Sequence, residues 1–145
     1  MKYISRNLET VVSQLTKEYP VVLLTGPRQV GKTTMLKKLM ENTNRGYVSL
    51  DDLNARNLAK SDPELFLQLH KPPILIDEVQ YAPELFTYIK MHVDKNQNPG
   101  DFWLTGSQVF KLMRGVQESL AGRVAVLSMT TLSQAEISNR DMTPF

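Results

Sequence analysis

Apolar residues recur at helical spacing through Ile4, Leu8, Val11, Val12 and Leu15 until Pro20, which predicts an amphipathic opening helix. The period then changes. Val21 to Thr25 is an unbroken run rich in β-branched residues and leucine, the pattern of a strand buried on both faces of a parallel sheet. Thr33 to Met40 reads as a helix packing through Met35, Leu36 and Leu39, Asn42 to Gly46 as a turn, and Tyr47 to Leu50 as a second strand ending in Asp51 and Asp52. Asp62, Pro63 and Glu64 supply a cap, a proline at the first helical position and a first-turn acid, so Pro63 to His70 is predicted helical until Pro72 and Pro73. Ile74 to Ile76 predicts a third strand. Pro83 to Lys95 predicts a helix burying Leu85, Phe86, Ile89 and Val93, with Phe102 to Thr105 as fourth strand and Val124 to Leu127 as fifth. Helical stretches at Gln108 to Arg114 and Gln117 to Leu120 fall between these last two, and Ser133 to Glu136 fits a capping box. Strands alternating with helices at this spacing imply a parallel sheet with helices on both faces.

The loop after the first strand changes the picture from architecture to chemistry. Gly26, Pro27, Arg28, Gln29, Val30, Gly31, Lys32 and Thr33 form G-x-x-x-x-G-K-T between a strand and a helix, the order of a phosphate-binding P-loop. Glycine is needed where the backbone takes positive φ or approaches an anion, and successive N–H groups then surround the phosphates as the helix begins. Lys32 is expected to reach the β and γ phosphates, the Thr33 hydroxyl to ligate Mg²⁺, and Thr34 to complete the binding segment. A glycine-bounded turn without a ligand is the alternative. Arg28 faces either solvent or phosphate on this pattern.

Four apolar positions lead straight into Asp77 and Glu78, an odd end for a structural strand because carboxylates resist burial unless paired or bound to metal. Beside a P-loop they have roles: Asp77 to hold Mg²⁺ and Glu78 to orient or deprotonate the attacking water. Solvated acids at a helix start are the alternative. Ligands of open parallel sheets lie beyond the carboxyl ends of the strands, where the loop from Gly26, the Asp77–Glu78 pair and Ser107 converge. No N-K-x-D element follows a later strand, so adenine is favoured over guanine and ATP is the expected nucleotide. An acid at Glu78 also predicts a helix-inserted strand between the P-loop strand and the Asp77-bearing strand, a place that Tyr47 to Leu50 can fill. The expected strand order is 5-1-4-3-2.

Composition narrows the alternatives. The 145 residues, 41% apolar and 22% charged, suit one soluble domain, and a net charge of +2 with no basic block gives no reason to invoke nucleic acid. With no cysteine, disulfides and thiolate sites are excluded, and the two histidines have no metal-ligand spacing. His70 and His92 read as structural, Trp103 as core or its margin, and Asp51 and Asp52 as loop carboxylates. No apolar signal core or membrane-length run appears, so the chain is read as cytoplasmic with no membrane partner.

The strings TGPRQVGKTT, YVSLDDLNARNLAKSDPELFL, ILIDEVQYAPELF, WLTGSQ and SLAGRVAVL together resemble the AAA+ ATPase domain, family fourteen, over nearly the whole chain. The resemblance implies a three-layer α/β P-loop NTPase sandwich with an N-terminal helix, an ATPase core over 1–131, and a connection over 132–145 toward a lid and C-terminal region that longer members carry. It also implies that Ser107, or Thr105 on the same tip, is the sensor touching the γ phosphate or water; a helix cap is the alternative for Ser107. Arg123 precedes the fifth strand and so starts at the edge opposite the chain's own nucleotide. The resemblance implies a finger supplied in trans, hence a homo-oligomer, while an intrachain acid partner is the alternative; Arg114 is the weaker candidate for the same role. The implied activity is Mg²⁺-dependent ATP hydrolysis, with Glu78, Lys32, Ser107 and Arg123 as catalytic residues, driving conformational change in an unidentified protein client or attached domain. Nucleic acid enters as a partner only by family analogy. A nucleotide-gated binding module with little turnover is the rival reading, and a small-acceptor kinase a third.

Overall fold

A computed structural model describes residues 2–27 and 31–129. Arg28, Gln29, Val30, the connection at 132–145 and the capping box expected at Ser133 to Glu136 lie outside the described residues. The elements run α1 (Lys2–Leu15), β1 (Val21–Thr25), α2 (Lys32–Leu39), β2 (Gly46–Ser49), α3 (Leu53–Ser61), α4 (Pro63–Leu69), β3 (Ile74–Asp77), a 3₁₀ turn (Val79–Tyr81), α5 (Leu85–Asn96), β4 (Phe102–Gly106), α6 (Val109–Ser119) and β5 (Val124–Ser128).

The five strands pair in parallel as β2-β3-β4-β1-β5, the expected 5-1-4-3-2 read from the other edge. Because strand side chains alternate between faces, the unbroken apolar run of β1 feeds two cores at once. Val21 and Leu23 join Ile74, Ile76, Phe102 and Leu104 against Phe66 of α4, Phe86 and Ile89 of α5 and Leu112 of α6. Val22 and Leu24 join Leu75, Trp103 and Leu127 against Leu8 and Val12 of α1 and Met35 and Leu36 of α2. Two helical layers therefore sandwich the sheet, and the loops at the carboxyl ends of β1, β3 and β4 are carried on a rigid support.

Two element predictions need correction. Residues 53–61 form a helix, α3, that apolar periodicity did not reveal; Asp52, read as a loop carboxylate, caps it by accepting the Ala55 N–H at 3.1 Å. The two helical stretches expected between β4 and β5 are one continuous helix, α6, running through Gly115. A Cβ there would stand 2.9 Å from the Phe86 ring, so this glycine serves close packing against α5 and does not break the helix. Among the described residues no helix is long and apolar enough to cross a membrane.

His70 follows α4 with its ring 4.6 Å from that of Phe66, and burial pushes its imidazole below the ordinary histidine range. The unfolded chain then takes up the proton first as pH falls, so this site's contribution is intact above the ordinary value and is lost on acidification. Urea midpoints measured from about pH 7.5 to about pH 5.5 are expected to fall more steeply for the wild type than for His70→Gln; parallel curves would contradict this.

Candidate nucleotide site

The P-loop is shaped by two glycines. Gly26 has φ 149°, and a Cβ on it would meet the Met129 carbonyl oxygen at 2.0 Å, so the residue after β1 has no room for a side chain. Gly31 is left-handed (φ 84°, ψ 26°) and begins α2 with no side-chain cap. The first amide N–H groups of α2 therefore have no capping side chain, the condition in which a helix start receives an anion. Lys32, only 2% exposed, donates from Nζ to the carbonyls of Gly26 at 2.7 Å and Pro27 at 2.9 Å. A buried ammonium requires such acceptors, and the contacts fold it over the loop it belongs to. Thr34 is exposed on α2.

Thr33, one residue into α2, donates its hydroxyl to Asp77 Oδ1 at 2.7 Å, which joins the loop to the end of β3 across 44 residues. Thr105 on β4 donates to the same oxygen. The other oxygen, Oδ2, accepts Ser49 Oγ at 3.2 Å and the Tyr47 hydroxyl at 3.3 Å, both from β2. Burial and the negative charge of Asp77 push the Tyr47 phenol above its ordinary value, so it remains a proton donor at neutral pH. Tyr47 and Ser49 were not identified from sequence. They reach Asp77 because β2 pairs with β3 in the register Ser49↔Asp77, and no local signal in Tyr47 to Leu50 encodes that register.

A divalent cation at this point fits the donor set. Among the described residues no group of three His, Asp or Glu gathers, but Mg²⁺ is commonly held by one or two carboxylates, water and substrate phosphate. Adjacent hard oxygens from Thr33 and Asp77, at the mouth of an anion-ready helix start, match that mode.

Glu78 departs in the opposite direction. It adopts a left-handed conformation (φ 58°, ψ 51°) at a cost of about 1–2 kcal/mol, and its N–H is received by Thr105 Oγ1 at 3.0 Å. Its Oε1 accepts from Ser107 Oγ at 2.8 Å and from Gln80 Nε2 at 2.8 Å. Ser107, just beyond β4, therefore spends its hydroxyl on Glu78; the residue in the cap position of α6 is Gln108, which makes no side-chain cap bond. The Thr105 hydroxyl, fully buried, is committed to Asp77 and the Glu78 amide. Lys32, Thr33, Asp77, Glu78 and Ser107 thus come together at the carboxyl ends of three strands.

Arg123 stands elsewhere. Its carbonyl receives the Val21 N–H at the amino end of β1, so a strand rising about 3.3 Å per residue separates it from the P-loop. Its guanidinium forks onto Asp94, Nε at 2.6 Å and Nη2 at 3.1 Å, and this pairing lowers the Asp94 carboxyl and raises the Arg123 guanidinium. Arg45, also at the amino edge, lies over the Trp103 ring at 4.0 Å and donates to the Gly100 carbonyl at 2.7 Å. Burial lowers it to about 10, opposed by Asp101.

A family described as AAA domain, AAA_14, matches residues 18–138. The chain belongs to the AAA domain family. This AAA domain is 36% identical over 121 residues to uncharacterized proteins of Mycobacterium bovis (Mb2031c) and Mycobacterium tuberculosis (Rv2008c), which covers 83% of the chain and 27% of each relative. It therefore spans about a quarter of their length. Its fold is similar to the P-loop NTPase domain of the sigma-54 transport activator from E. coli (TM-score 0.56, 14% identity, 83% of this chain and 92% of that one). A Walker-type ATPase of Pyrococcus abyssi (TM-score 0.58, 19%, 96% and 56%) and the Thermotoga maritima RuvB Holliday junction branch migration motor (TM-score 0.54, 20%, 96% and 49%) share it as well. At these identities the likeness is one of fold. Family and fold together place nucleotide handling on this AAA domain.

Replacing Thr105 with valine keeps its shape while leaving the buried Glu78 N–H without its acceptor. Thr105→Val is expected to lose about 1–3 kcal/mol in urea unfolding; an unchanged midpoint would mean that the bond contributes nothing.

Proposed function

We propose that this AAA domain binds ATP with Mg²⁺ and hydrolyses it, using the cycle to move a protein client or an attached domain. The observation that carries the reading is the direct bond between Thr33 and Asp77, which joins the start of the P-loop helix to the end of β3, where Asp77 and Glu78 stand side by side. Lys32, withdrawn from loop carbonyls onto the β and γ phosphates, would neutralise charge that develops during transfer. Thr33 and Asp77 would hold the cation, which when bound would screen and orient the phosphate oxygens. Glu78 would take the proton of the attacking water, and Ser107 would meet the γ phosphate or that water.

A rival reading has its own support. Glu78 is 4% exposed and held by two donors, as suits a nucleotide-gated binding module whose turnover is incidental. Arg123, at the amino edge, can serve only a neighbouring copy's phosphate, and doing so requires its fork to leave Asp94; a loss of concentration-dependent turnover in Arg123→Ala would support that role.

ATP titrations with and without Mg²⁺ separate these readings. Lys32→Ala is expected to weaken binding at least about tenfold, whereas Glu78→Gln should bind as wild type and lose about 10²- to 10⁴-fold in turnover. Undiminished affinity in the lysine variant would overturn the site, and equally negligible turnover in wild type and Glu78→Gln would favour the binding module.

A further inference from the structure

Gln80 has no role in the chemistry above, yet it sits at the centre of the attack-side groups. It lies in the 3₁₀ turn after β3, between Val79, fully buried, and Tyr81, and is itself 1% exposed. A buried primary amide carries two N–H donors and a carbonyl acceptor that all need partners. Gln80 uses all three on two residues. Nε2 donates to Glu78 Oε1 at 2.8 Å and to Ser107 Oγ at 3.1 Å, while Oε1 accepts the Ser107 N–H at 3.3 Å. Ser107 Oγ closes the ring by donating to Glu78 Oε1 at 2.8 Å. The backbone leaves room for this: at Gly106 a Cβ would stand 3.1 Å from Gln80 Oε1 and 2.2 Å from Leu112 Cδ2.

The proton inventory gives the ring a direction. A serine hydroxyl has one proton, so Ser107 bonded to Glu78 cannot also donate to a phosphate oxygen. When that hydroxyl turns to a nucleotide, Glu78 loses one donor while the Gln80 amide keeps its bond to the carboxylate. The contact with the Ser107 amide holds Gln80 itself in place meanwhile, because a backbone N–H does not turn with the hydroxyl.

We infer that Gln80 is a positioning residue that sets the direction of the Glu78 carboxylate and couples it to the state of Ser107. This rests on the reading of Glu78 as the group that activates water. Displacing a reacting group by about 1 Å is enough to slow a step by as much as about 100-fold, so loss of this hold acts on the chemical step rather than on nucleotide affinity, which the P-loop supplies on the other side of Asp77.

Gln80→Met keeps length and approximate volume and removes every hydrogen bond. It is expected to lower kcat about 10- to 100-fold while KM and the Mg-ATP dissociation constant stay within about twofold of wild type. In a double-mutant cycle, Gln80→Met and Ser107→Ala should together cost less than the product of their separate losses, since both hold Glu78 through one ring. Unchanged kcat, parallel loss of affinity and kcat, or fully additive losses would each overturn the inference. Wild type that binds ATP without turnover would overturn the hydrolase reading instead, and a second readout then decides this one. The side-chain amide pair of Gln80, identified in ¹⁵N–¹H spectra by its absence from Gln80→Met, is expected to shift when Mg-ATP is added to the wild type. An amide pair unmoved by nucleotide would overturn the coupling to Ser107.

Discussion

A single carboxylate, that of Asp77, holds the active end of the sheet together. Its two oxygens accept hydroxyls from Thr33, Thr105, Ser49 and Tyr47, which come from the P-loop helix, the neighbouring strand β4 and the edge strand β2. A carboxylate 7% exposed is costly unless its lone pairs are satisfied, and satisfying them requires all three segments at once. The edge strand is thereby tied to the site by chemistry as well as by its ladder. Perturbing any donor loosens this junction as well as the fold.

The two ends of the sheet are treated differently. At the amino ends, charged and aromatic groups are closed in pairs: Arg45 on Trp103, His92 on Asp101 at 3.3 Å and edge-on to Phe102, Arg123 on Asp94. At the carboxyl ends the polar groups are chained through one another, from Thr33 through Asp77 and Thr105 to the Glu78 amide, and from Glu78 through Gln80 to Ser107. Paired groups fix geometry and have little left to offer a ligand. Chained hydroxyls and amides can exchange partners at small cost, because each hydroxyl proton can be redirected while its oxygen keeps accepting. That asymmetry, rather than any one residue, distinguishes the carboxyl end from the amino end.

How much of this was legible follows from where each signal resides. The strands were readable because burial on both faces leaves an unbroken apolar run, as in Val21 to Leu24. The helix α3 was not, because its inward stripe is short and made of small groups, Ala59 buried with Ala55 and Leu58 partly buried, while Leu53 is 62% exposed. The two stretches read between β4 and β5 are one helix in which Gly115 provides a close approach to Phe86. At the candidate site, the placing of Lys32, Thr33, Asp77 and Glu78 at the carboxyl edge was legible because it depends on neighbours in the chain: a loop closing on a helix start, and acids ending a strand.

Tyr47, Ser49 and Gln80 were invisible for the opposite reason. A tyrosine and a serine on an edge strand, or a glutamine among apolar residues, have no distinctive local meaning. Their partners, Asp77 for Tyr47 and Ser49 and Ser107 for Gln80, lie 27 to 30 residues away, and only the register of β2 on β3 and the approach of the β4 tip to the 3₁₀ turn bring them within hydrogen-bond range. The sequence by itself determined the glycine-bounded loop between strand and helix, the acidic strand end and the alternation that makes a parallel sheet, since these arise from spacing of a few residues. Tertiary structure decided which hydroxyls surround Asp77, how Ser107 joins Gln80 and Glu78, and where Arg123 spends its charge, because those depend on distances between segments far apart in the chain that no local pattern encodes.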